Sequence, residues 1–191
     1  IVLMDTYLTD SIFIAENPLK VTEKIERNIV TDADLNDPAA YERYAYTEGG
    51  VSPRALPSQG KALVMMSGNE HTPDGHLTED PQTRIQMVDK RAAKIPNMLK
   101  DQCPPTIHHE EAELILVGWE SSCGAIKESV DMLRAEDLDV GSLHLTDIWP
   151  FPADNIEKLL GGKKKFIMVE LNSTAQLGQL IRQQAGLLYH H

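Results

Sequence analysis

The feature that most constrains the fold is an alternation of short apolar runs with amphipathic segments over residues 112–186. Each run has the length and composition of a buried strand. Each amphipathic segment has apolar residues three and four positions apart, which is typical of a helix. The runs cover residues 113–118, 140–145 and 165–170, and the helical segments follow at 123–135, 152–160 and 175–185. This order predicts an α/β fold, a three-layer α/β/α domain with a mainly parallel sheet joined by right-handed crossovers.

Residues 61–111 predict a strand, a polar loop and a connecting helix. The strand is expected over Ala62 to Met66, and the helix begins after the N-cap Asp80, with Pro81 in its first position. Pro96 should kink or end this helix. The apolar residues of the helix form one stripe, namely Ile85, Val88, Ala92, Ile95 and Leu99. Such a stripe needs a partner, either the next domain or another subunit.

The first sixty residues show little periodicity. Ile1 to Met4 has the composition of the end of a buried strand, and a chain that begins in this way is expected to be a fragment. Turn-forming pairs then interrupt any long element, namely Asn17–Pro18, Asp37–Pro38, Gly49–Gly50, Ser52–Pro53 and Leu56–Pro57. We therefore expect an extended, irregular segment that packs on another part of the protein.

Charge and composition argue against several classes of partner. The 191 residues include 29 acidic and 18 basic side chains, and the net charge of −11 disfavours nucleic acid and the docking of an acidic electron carrier. No apolar run approaches the roughly 20 residues of a membrane span, and residues 1–11 lack the basic start of a signal peptide. Cys103 and Cys123 are too few for an iron–sulfur cluster, so we expect buried or half-buried thiols in a reducing cytoplasm.

The polar loop over residues 67–80 concentrates side chains that could bind a metal. They are Glu70, His71, His76, Glu79 and Asp80. Zinc accepts such ligands, but their spacing is not HExxH, and we favour polar contacts that stabilise the loop and predict no metal site. The cluster His108 to Glu111 and the basic run Lys163 to Lys165 are expected to be solvated. His190–His191 could be disordered or the remnant of a tag, and we assign it no function.

The first predicted turn at the carboxyl end of a strand has the sequence GWESSCGAIKE. Open parallel sheets usually gather their ligand sites at such turns. Ser121 or Ser122 could cap the following helix or hold an anion at its N-terminus. Gly124 would permit close backbone approach, whereas Glu120 would repel a phosphate. We therefore favour capping over anion binding.

The two later turns have separate predictions. Trp149 and Phe151 lie among prolines and are expected to pack on a neighbour. Glu170 ends the last predicted strand, and we favour a structural hydrogen-bonding role over a functional carboxylate. Ser173 or Thr174 is expected to cap the final helix.

Six stretches of the chain together suggest one family. They are MDTYLTDS (4–11), RYAYTEGGVSPRALPSQG (43–60), SGNEHTPDGHLTEDPQTRIQMVDKR (67–91), GWESSCGAIKE (118–128), LTDIWPFP (145–152) and VELNSTAQLGQLIR (169–182). In order and spacing, this set resembles the alpha subunit of 2-oxoacid:ferredoxin oxidoreductases, above all the 2-oxoglutarate type. The resemblance covers nearly the whole chain.

The resemblance implies that the chain is the C-terminal part of that subunit. Residues 1–11 would end the upstream pyrimidine-binding domain, and residues 12–60 would be an extended linker. Residues 61–111 would supply a strand, a polar loop and a connecting helix. Residues 112–188 would form a domain like the C-terminal domain of transketolase, whose role in the family is mainly architectural.

The family's activity is implied for the complex and not for this chain alone. Such a complex decarboxylates a 2-oxoacid, here expected to be 2-oxoglutarate, on thiamine diphosphate, and passes electrons through iron–sulfur clusters to ferredoxin to form an acyl-CoA. The diphosphate, magnesium and cluster ligands lie mostly on the beta subunit, and the substrate-facing YPITP motif lies upstream. The resemblance therefore implies no catalytic residue and no bound cofactor in this chain. Its expected partners are the beta subunit and a second alpha–beta unit.

Four residues are candidates for the subunit interface or the substrate channel: Ser52, Arg54, Glu70 and His71. Arg54 could bind a carboxylate or phosphate bidentately, and Ser52 lies in a rigid turn before Pro53. Under the resemblance, the segment RYAYTEGGVSPR would line a channel for substrate or CoA. An ion pair between Arg54 and a local acid such as Glu48 is the alternative.

The chain departs from the family at three turn positions. The family usually has glycine where this chain has Glu120, Ala175 and Ser58. The first departure weakens a ligand role for the turn at Ser121, and none of the three threatens the fold. Two other function classes remain open: a free-standing interaction module with a closed surface, and a small metal- or anion-binding domain.

Overall fold

The computed structural model describes residues 1–17, 20, 25–37, 40–162 and 165–190. Pro18 and Pro38 of the predicted turns, Lys163 and Lys164 of the basic run, and His191 lie outside the described residues. The chain forms two compact units, of which the first contains residues 1–14 and 101–191 and the second contains residues 15–100. Across the described ranges, no helix combines the length and apolar character that a membrane span requires.

The secondary structure follows the predicted alternation. In chain order, the helices are α1 (Thr6–Asp10), α2 (Pro81–Ala92), α3 (Ile95–Lys100), α4 (Ser122–Ala135), α5 (Ala153–Leu160) and α6 (Gln176–Ala185), with a short 3-10 helix at Asp32–Leu35. The strands are β1 (Thr106–His108), β2 (Leu114–Trp119), β3 (Val140–Leu145) and β4 (Lys165–Met168). All three predicted strands and all three predicted helices of residues 112–186 are thereby confirmed to within one or two residues at each end.

The first unit is built on a four-stranded sheet in the order β1-β3-β2-β4. β2 pairs in parallel with β3 and with β4, which confirms the mainly parallel prediction. β1 pairs antiparallel to β3, with Ile107 opposite Leu143, and was not predicted. The three residues of β1 show no apolar alternation that would predict a strand. They adopt a strand conformation because they pair with the free edge of β3.

Helices cover both faces of this sheet. Val117 is fully buried in the main core together with Ile156 of α5 and Ile181 of α6. Its neighbour Gly118 points to the other face, where Ile126 of α4 approaches its α-carbon closely. The three-layer α/β/α prediction is therefore confirmed. Each fully buried aliphatic side chain contributes about 1.5–3 kcal/mol to folding.

In the first unit, the two chain ends and the segment around Phe151 differ from the predictions. Ile1 to Met4 forms no strand and is exposed, because none of the described strands pairs with it. Phe151 packs into the unit's own core and not on a neighbour, whereas Trp149 is exposed. His190 forms a bridge with Ile167 at the free edge of β4, so this terminal residue is ordered by the sheet.

The second unit has a small core of its own. Leu35 of the 3-10 helix and Met87 of α2 are fully buried. Gly50, with φ +70°, brings the turn after Glu48 against α2, where an added Cβ would lie 2.2 Å from the carbonyl oxygen of Lys90. The described residues between 15 and 60 lie mostly outside helices and strands, and they belong to the same compact unit as α2.

Two predictions for residues 61–100 need correction. Residues 62–66 form no strand, because in the described part of the chain no segment pairs with their backbone, and Leu63 and Met66 remain exposed. Asp80 caps α2 as predicted, with its carboxylate accepting the N–H of Thr83 at 2.7 Å. The helix, however, ends at Ala92, before the predicted break at Pro96, and α3 follows.

Candidate functional site

The loop over residues 67–80 is organised by Glu70. Arg91 donates to its carboxylate at 2.8 Å and 3.1 Å, and Arg84 donates at 2.7 Å. These hydrogen bonds, with that of Arg91 the largest cause, lower the pKa of Glu70 to about 2. Glu70 therefore holds the loop on α2 as a carboxylate anion at neutral pH, and both of its oxygens are already engaged.

The other candidate metal ligands of this loop have separate local partners. The His71 ring stacks on the Tyr44 ring with centroids 3.6 Å apart, and its buried Nδ1 has no hydrogen-bond partner in the described part of the chain. His76 Nδ1 lies 2.9 Å from the carboxylate of Asp74. The described residues contain no group of three or more His, Cys, Asp or Glu side chains arranged to hold a metal ion.

Ser52 has a structural role in the second unit. Its side chain is buried, and its hydroxyl donates to the carbonyl oxygen of Ala45 at 2.8 Å. This bond closes the turn around Gly50 that packs against α2. The hydroxyl is therefore engaged in the fold.

Arg54 differs from the other three candidates because it lines a cavity. The Nε and Nη2 atoms of Arg54 donate to the carbonyl oxygen of Arg27 at 3.2 Å and 2.9 Å. Its main-chain N–H donates to the main-chain carbonyl oxygen of Asn28 at 2.8 Å. Among the described residues, Arg54 forms no ion pair, so the alternative of a pair with a local acid such as Glu48 is not found there. Arg54, Arg27 and Arg43 line a groove of about 470 Å³ in the second unit.

The turn between β2 and α4 is built differently from the prediction. Ser122 donates from its hydroxyl to the carbonyl oxygen of Trp119 at 2.6 Å, and Ser121 donates to the carboxylate of Asp5. Neither serine therefore caps α4 with its side chain. Burial, and then the nearby Asp5 charge, raises the pKa of Glu120. Two carboxylates at this turn make it a poor site for an anion.

Close backbone approach at this turn depends on Gly118 and not on Gly124. An added Cβ at Gly118 would lie 2.3 Å from Cδ1 of Ile126 and 2.6 Å from Oγ of Ser122. At Gly124, no atom lies within 4 Å of an added Cβ. The prediction for Gly124 is therefore wrong, because α4 approaches the backbone of β2 closely at Gly118.

Glu170 has the structural role that the sequence favours. Its carboxylate accepts the main-chain N–H groups of Leu177 and Gly178 at 2.9 Å and 3.0 Å, and it also accepts the side chains of Trp119 and Asn172. The prediction that Ser173 or Thr174 caps α6 is wrong. Glu170 and Asn172 supply the acceptors instead, because Ala175 at the cap position has no side-chain acceptor.

The remaining predicted clusters lie at the surface. Cys103 and Cys123 are free and exposed, which corrects the expectation of buried or half-buried thiols. Glu110 and Glu111 are exposed, and His109 has a positive φ of 54° in the turn after β1. The arginines that accompany Arg54, namely Arg27 and Arg43, were not predicted, because residues 25–43 have no periodicity that would reveal a shared surface.

Comparisons with known proteins agree with this architecture. Residues 112–191 match the family described as pyruvate:ferredoxin oxidoreductase core domain II. The 2-oxoacid:ferredoxin oxidoreductase 2 alpha subunit of Aeropyrum pernix is 35% identical over 97% of this chain and 29% of its own length. The KorA subunit of 2-oxoglutarate synthase from Methanocaldococcus jannaschii is 31% identical over 61% of this chain and 30% of its own length.

One solved structure is similar to most of the chain. It is a 2-oxoglutarate:ferredoxin oxidoreductase from Magnetococcus marinus with 2-oxoglutarate, coenzyme A and succinyl-CoA bound. The similarity has a TM-score of 0.72 at 28% identity and covers 78% of this chain and 27% of the other. The chain thus spans between 25% and 29% of the length of the first curated relatives that it matches. With the matched sheet domain and the relatives that extend over nearly all of its residues, this chain belongs to the alpha-subunit family of the 2-oxoacid:ferredoxin oxidoreductases.

Proposed function

We propose that this chain is the non-catalytic C-terminal part of the alpha subunit of a thiamine-diphosphate-dependent 2-oxoacid:ferredoxin oxidoreductase, and that it supports assembly of the complex. The complete enzyme oxidatively decarboxylates a 2-oxoacid to an acyl-CoA and passes the electrons to ferredoxin. Its partners are the beta subunit and a second alpha–beta unit, in the cytoplasm. The names of the Magnetococcus marinus and Methanocaldococcus jannaschii relatives support 2-oxoglutarate as the substrate.

The observation that carries the assembly role is the exposed apolar stripe on α2 and α3. Ile85, Val88 and Ile95 are 53%, 42% and 39% exposed, although they follow the spacing of a buried helix face. A free-standing module would have a closed surface. Exposed apolar side chains at helical spacing are typical of an interface with another polypeptide, which supports the assembly role over the free-standing module.

The cofactors of the reaction belong, in this proposal, to other segments or subunits. Magnesium and iron–sulfur clusters need several convergent oxygen or sulfur ligands. Among the described residues, Cys103 and Cys123 are the only cysteines, and no group of three potential metal ligands converges. The side chains present do not fit these groups, so we derive no chemical step from this chain.

Of the four candidate channel residues, Arg54 is the one that we retain. Ser52, Glu70 and His71 have intramolecular partners that account for their positions. We infer that Arg54 lies near the channel for substrate or CoA in the complex. Kinetics of Arg54→Ala in the full complex test this inference, because unchanged KM values for both the oxoacid and CoA would contradict it.

Assembly can be tested with a charge on the stripe. We expect Val88→Asp to abolish co-purification of the beta subunit with the alpha subunit, because a desolvated carboxylate at an apolar interface is strongly unfavourable. Met132→Asp is the matched control, since Met132 is an exposed apolar residue on α4 and is not part of the stripe. Equal recovery of the beta subunit with Val88→Asp and with the unchanged chain would contradict the assembly role of this face.

A further inference from the structure

Lys90, in the last turn of α2, has surroundings unlike those of most other lysines of the described chain. Lys90 and Lys94 are half-buried, whereas the other described lysines are exposed. The turn at Gly50 packs over both, because an added Cβ there would lie 2.2 Å from the carbonyl oxygen of Lys90 and 3.1 Å from Cγ of Lys94. Among the described residues, the Lys90 amine has no hydrogen bond and no ion pair.

The charged side chains around the Lys90 amine are cations. Burial, and then the charges of Lys94, Arg43 and Arg91, lowers the pKa of Lys90. An ammonium group that is partly removed from water and surrounded by like charges is unfavourable relative to its neutral form. At a given pH, a larger fraction of Lys90 than of an exposed lysine is therefore the neutral amine, which is the nucleophilic form.

Lys90 also lies away from the apolar stripe that we assign to assembly. Met87, three positions earlier on α2, is fully buried in the second unit, so Lys90 shares the helix face that packs on that unit. Ile85 and Val88 of the stripe are five and two positions earlier, which corresponds to rotations of about 140° and 200° around the helix. A partner bound to the stripe would therefore not cover Lys90.

We propose that the amine of Lys90 is acylated by acyl thioesters, the class of product that the proposed function assigns to the complete enzyme. The amine nitrogen attacks the carbonyl carbon of the thioester, an N–C bond forms, and the C–S bond breaks. The thiolate leaves and takes up the proton that the nitrogen loses, so the step needs no oxidant or reductant. The identity of the acyl donor rests on the proposed function, whereas the reactivity of the amine rests on the second unit alone.

An acyl group with a terminal carboxylate, such as succinyl, suits this position best. Lys94, Arg43 and Arg91 attract the carboxylate as the donor approaches. Acylation then replaces the positive charge of Lys90 with a negative charge among these three cations, so a repulsive arrangement becomes an attractive one. An acetyl group removes the charge of Lys90 but gains no such attraction.

Incubation of the 191-residue chain with succinyl-CoA near neutral pH, followed by peptide mass spectrometry, measures the initial rate of acylation at each lysine. We expect Lys90 to react at least roughly fivefold faster than Lys127, an exposed lysine on α4. The ratio of the two rates should be lower with acetyl-CoA. Lys94→Gln removes a neighbouring positive charge and should slow the acylation of Lys90 by about twofold or more.

Two further variants separate this site from general lysine acylation. Lys100→Gln removes a charge on α3 that does not affect the Lys90 pKa, and it should leave the rate at Lys90 unchanged. Lys90→Arg keeps the positive charge and should remove the fastest acylation of the chain. Equal rates at Lys90 and Lys127, or equal effects of Lys94→Gln and Lys100→Gln, would overturn the proposal. Because the thioester is supplied to the chain alone, failure of complex assembly would leave this result intact.

Discussion

The carboxylate of Glu170 accepts a hydrogen bond from the main-chain N–H of Leu177 at 2.9 Å and thereby joins the end of β4 to the first turn of α6. The N–H of Gly178 donates to the same carboxylate at 3.0 Å. The first N–H groups of a helix lack partners within the helix and attract negative charge. Glu170 thus supplies a cap from another element, where Ala175 has no side chain that could do so.

Replacement of Glu170 by alanine should destabilise the first unit by about 2 kcal/mol, in the range of a lost cap with charged hydrogen bonds. Glu170→Gln should be milder, because its amide oxygen keeps one acceptor. Urea unfolding followed by circular dichroism measures both variants. Glu157→Gln, at an exposed position of α5, is the control and should be neutral within about 0.5 kcal/mol. A Glu170→Ala variant as stable as this control would contradict the capping role.

Two glycines on either side of the β2–α4 turn should respond to alanine in opposite directions. Gly118→Ala would place a Cβ 2.3 Å from Ile126 and should destabilise the unit by about 1–3 kcal/mol through overpacking. Gly124→Ala meets open space within α4 and should stabilise it by about 0.5–1 kcal/mol through helix propensity. Thermal unfolding of the two variants measures both stability changes. Equal Tm values for the two variants would contradict the described packing of α4 on the sheet.

The three positions at which the family resemblance leads us to expect glycine all have a left-handed backbone conformation. Ser58, Glu120 and Ala175 have φ values of 68°, 52° and 51°. A left-handed conformation costs a residue with a Cβ about 1–2 kcal/mol, so Ser58→Gly, Glu120→Gly and Ala175→Gly should each stabilise the chain by about 1 kcal/mol. Ala125→Gly, in the interior of α4, is the control and should destabilise it by a similar amount. Loss of stability in all four variants would show that these positive φ angles are wrong.

The ion pairs of Glu70 predict a specific pH dependence. Hydrogen bonds from Arg91 and Arg84 lower the pKa of Glu70 from 4.5 to about 2. Because the pKa is lower in the folded chain, the stabilisation is complete above pH 4.5 and is lost as the pH falls towards 2. The free energy of unfolding of the wild type should exceed that of Glu70→Gln by about 1 kcal/mol at neutral pH, and the difference should vanish near pH 2.

Denaturant titrations at several pH values measure this difference. Glu79→Gln removes a neighbouring acid of the same loop that has no ion pair among the described residues, and its difference from the wild type should not change with pH in this way. A constant difference between wild type and Glu70→Gln from pH 7 to pH 2 would contradict the ion-pair assignment.

Residues 112–186 could be predicted because their signals are local. The apolar run that ends at Gly118 and the helical spacing of Ile126 and Val130 each identify an element without knowledge of the rest. The strand predicted over residues 62–66 failed because an apolar run forms a strand only where another strand pairs with it. β1 was missed for the opposite reason, since the partner strand and not the sequence of β1 determines its conformation.

The functional residues were less predictable than the fold. Arg54 could be singled out as a fixed cation in a rigid turn, but its groove depends on Arg27 and Arg43, which lie 27 and 11 positions upstream without a shared pattern. Likewise, Glu170 could be recognised at the end of a strand, but its role as a cap depends on where α6 begins. Relationships between distant segments of the chain carry no local signal.

The central claim is that this chain acts as an assembly part of a larger oxidoreductase. Affinity purification of the chain's native alpha subunit from its source cells, followed by native mass spectrometry with thiamine and iron analysis, tests that claim most directly. We predict an assembly that contains equal numbers of alpha and beta subunits, with thiamine diphosphate and iron–sulfur clusters in the beta subunits. An alpha subunit that is recovered alone, with neither thiamine nor iron, would contradict it.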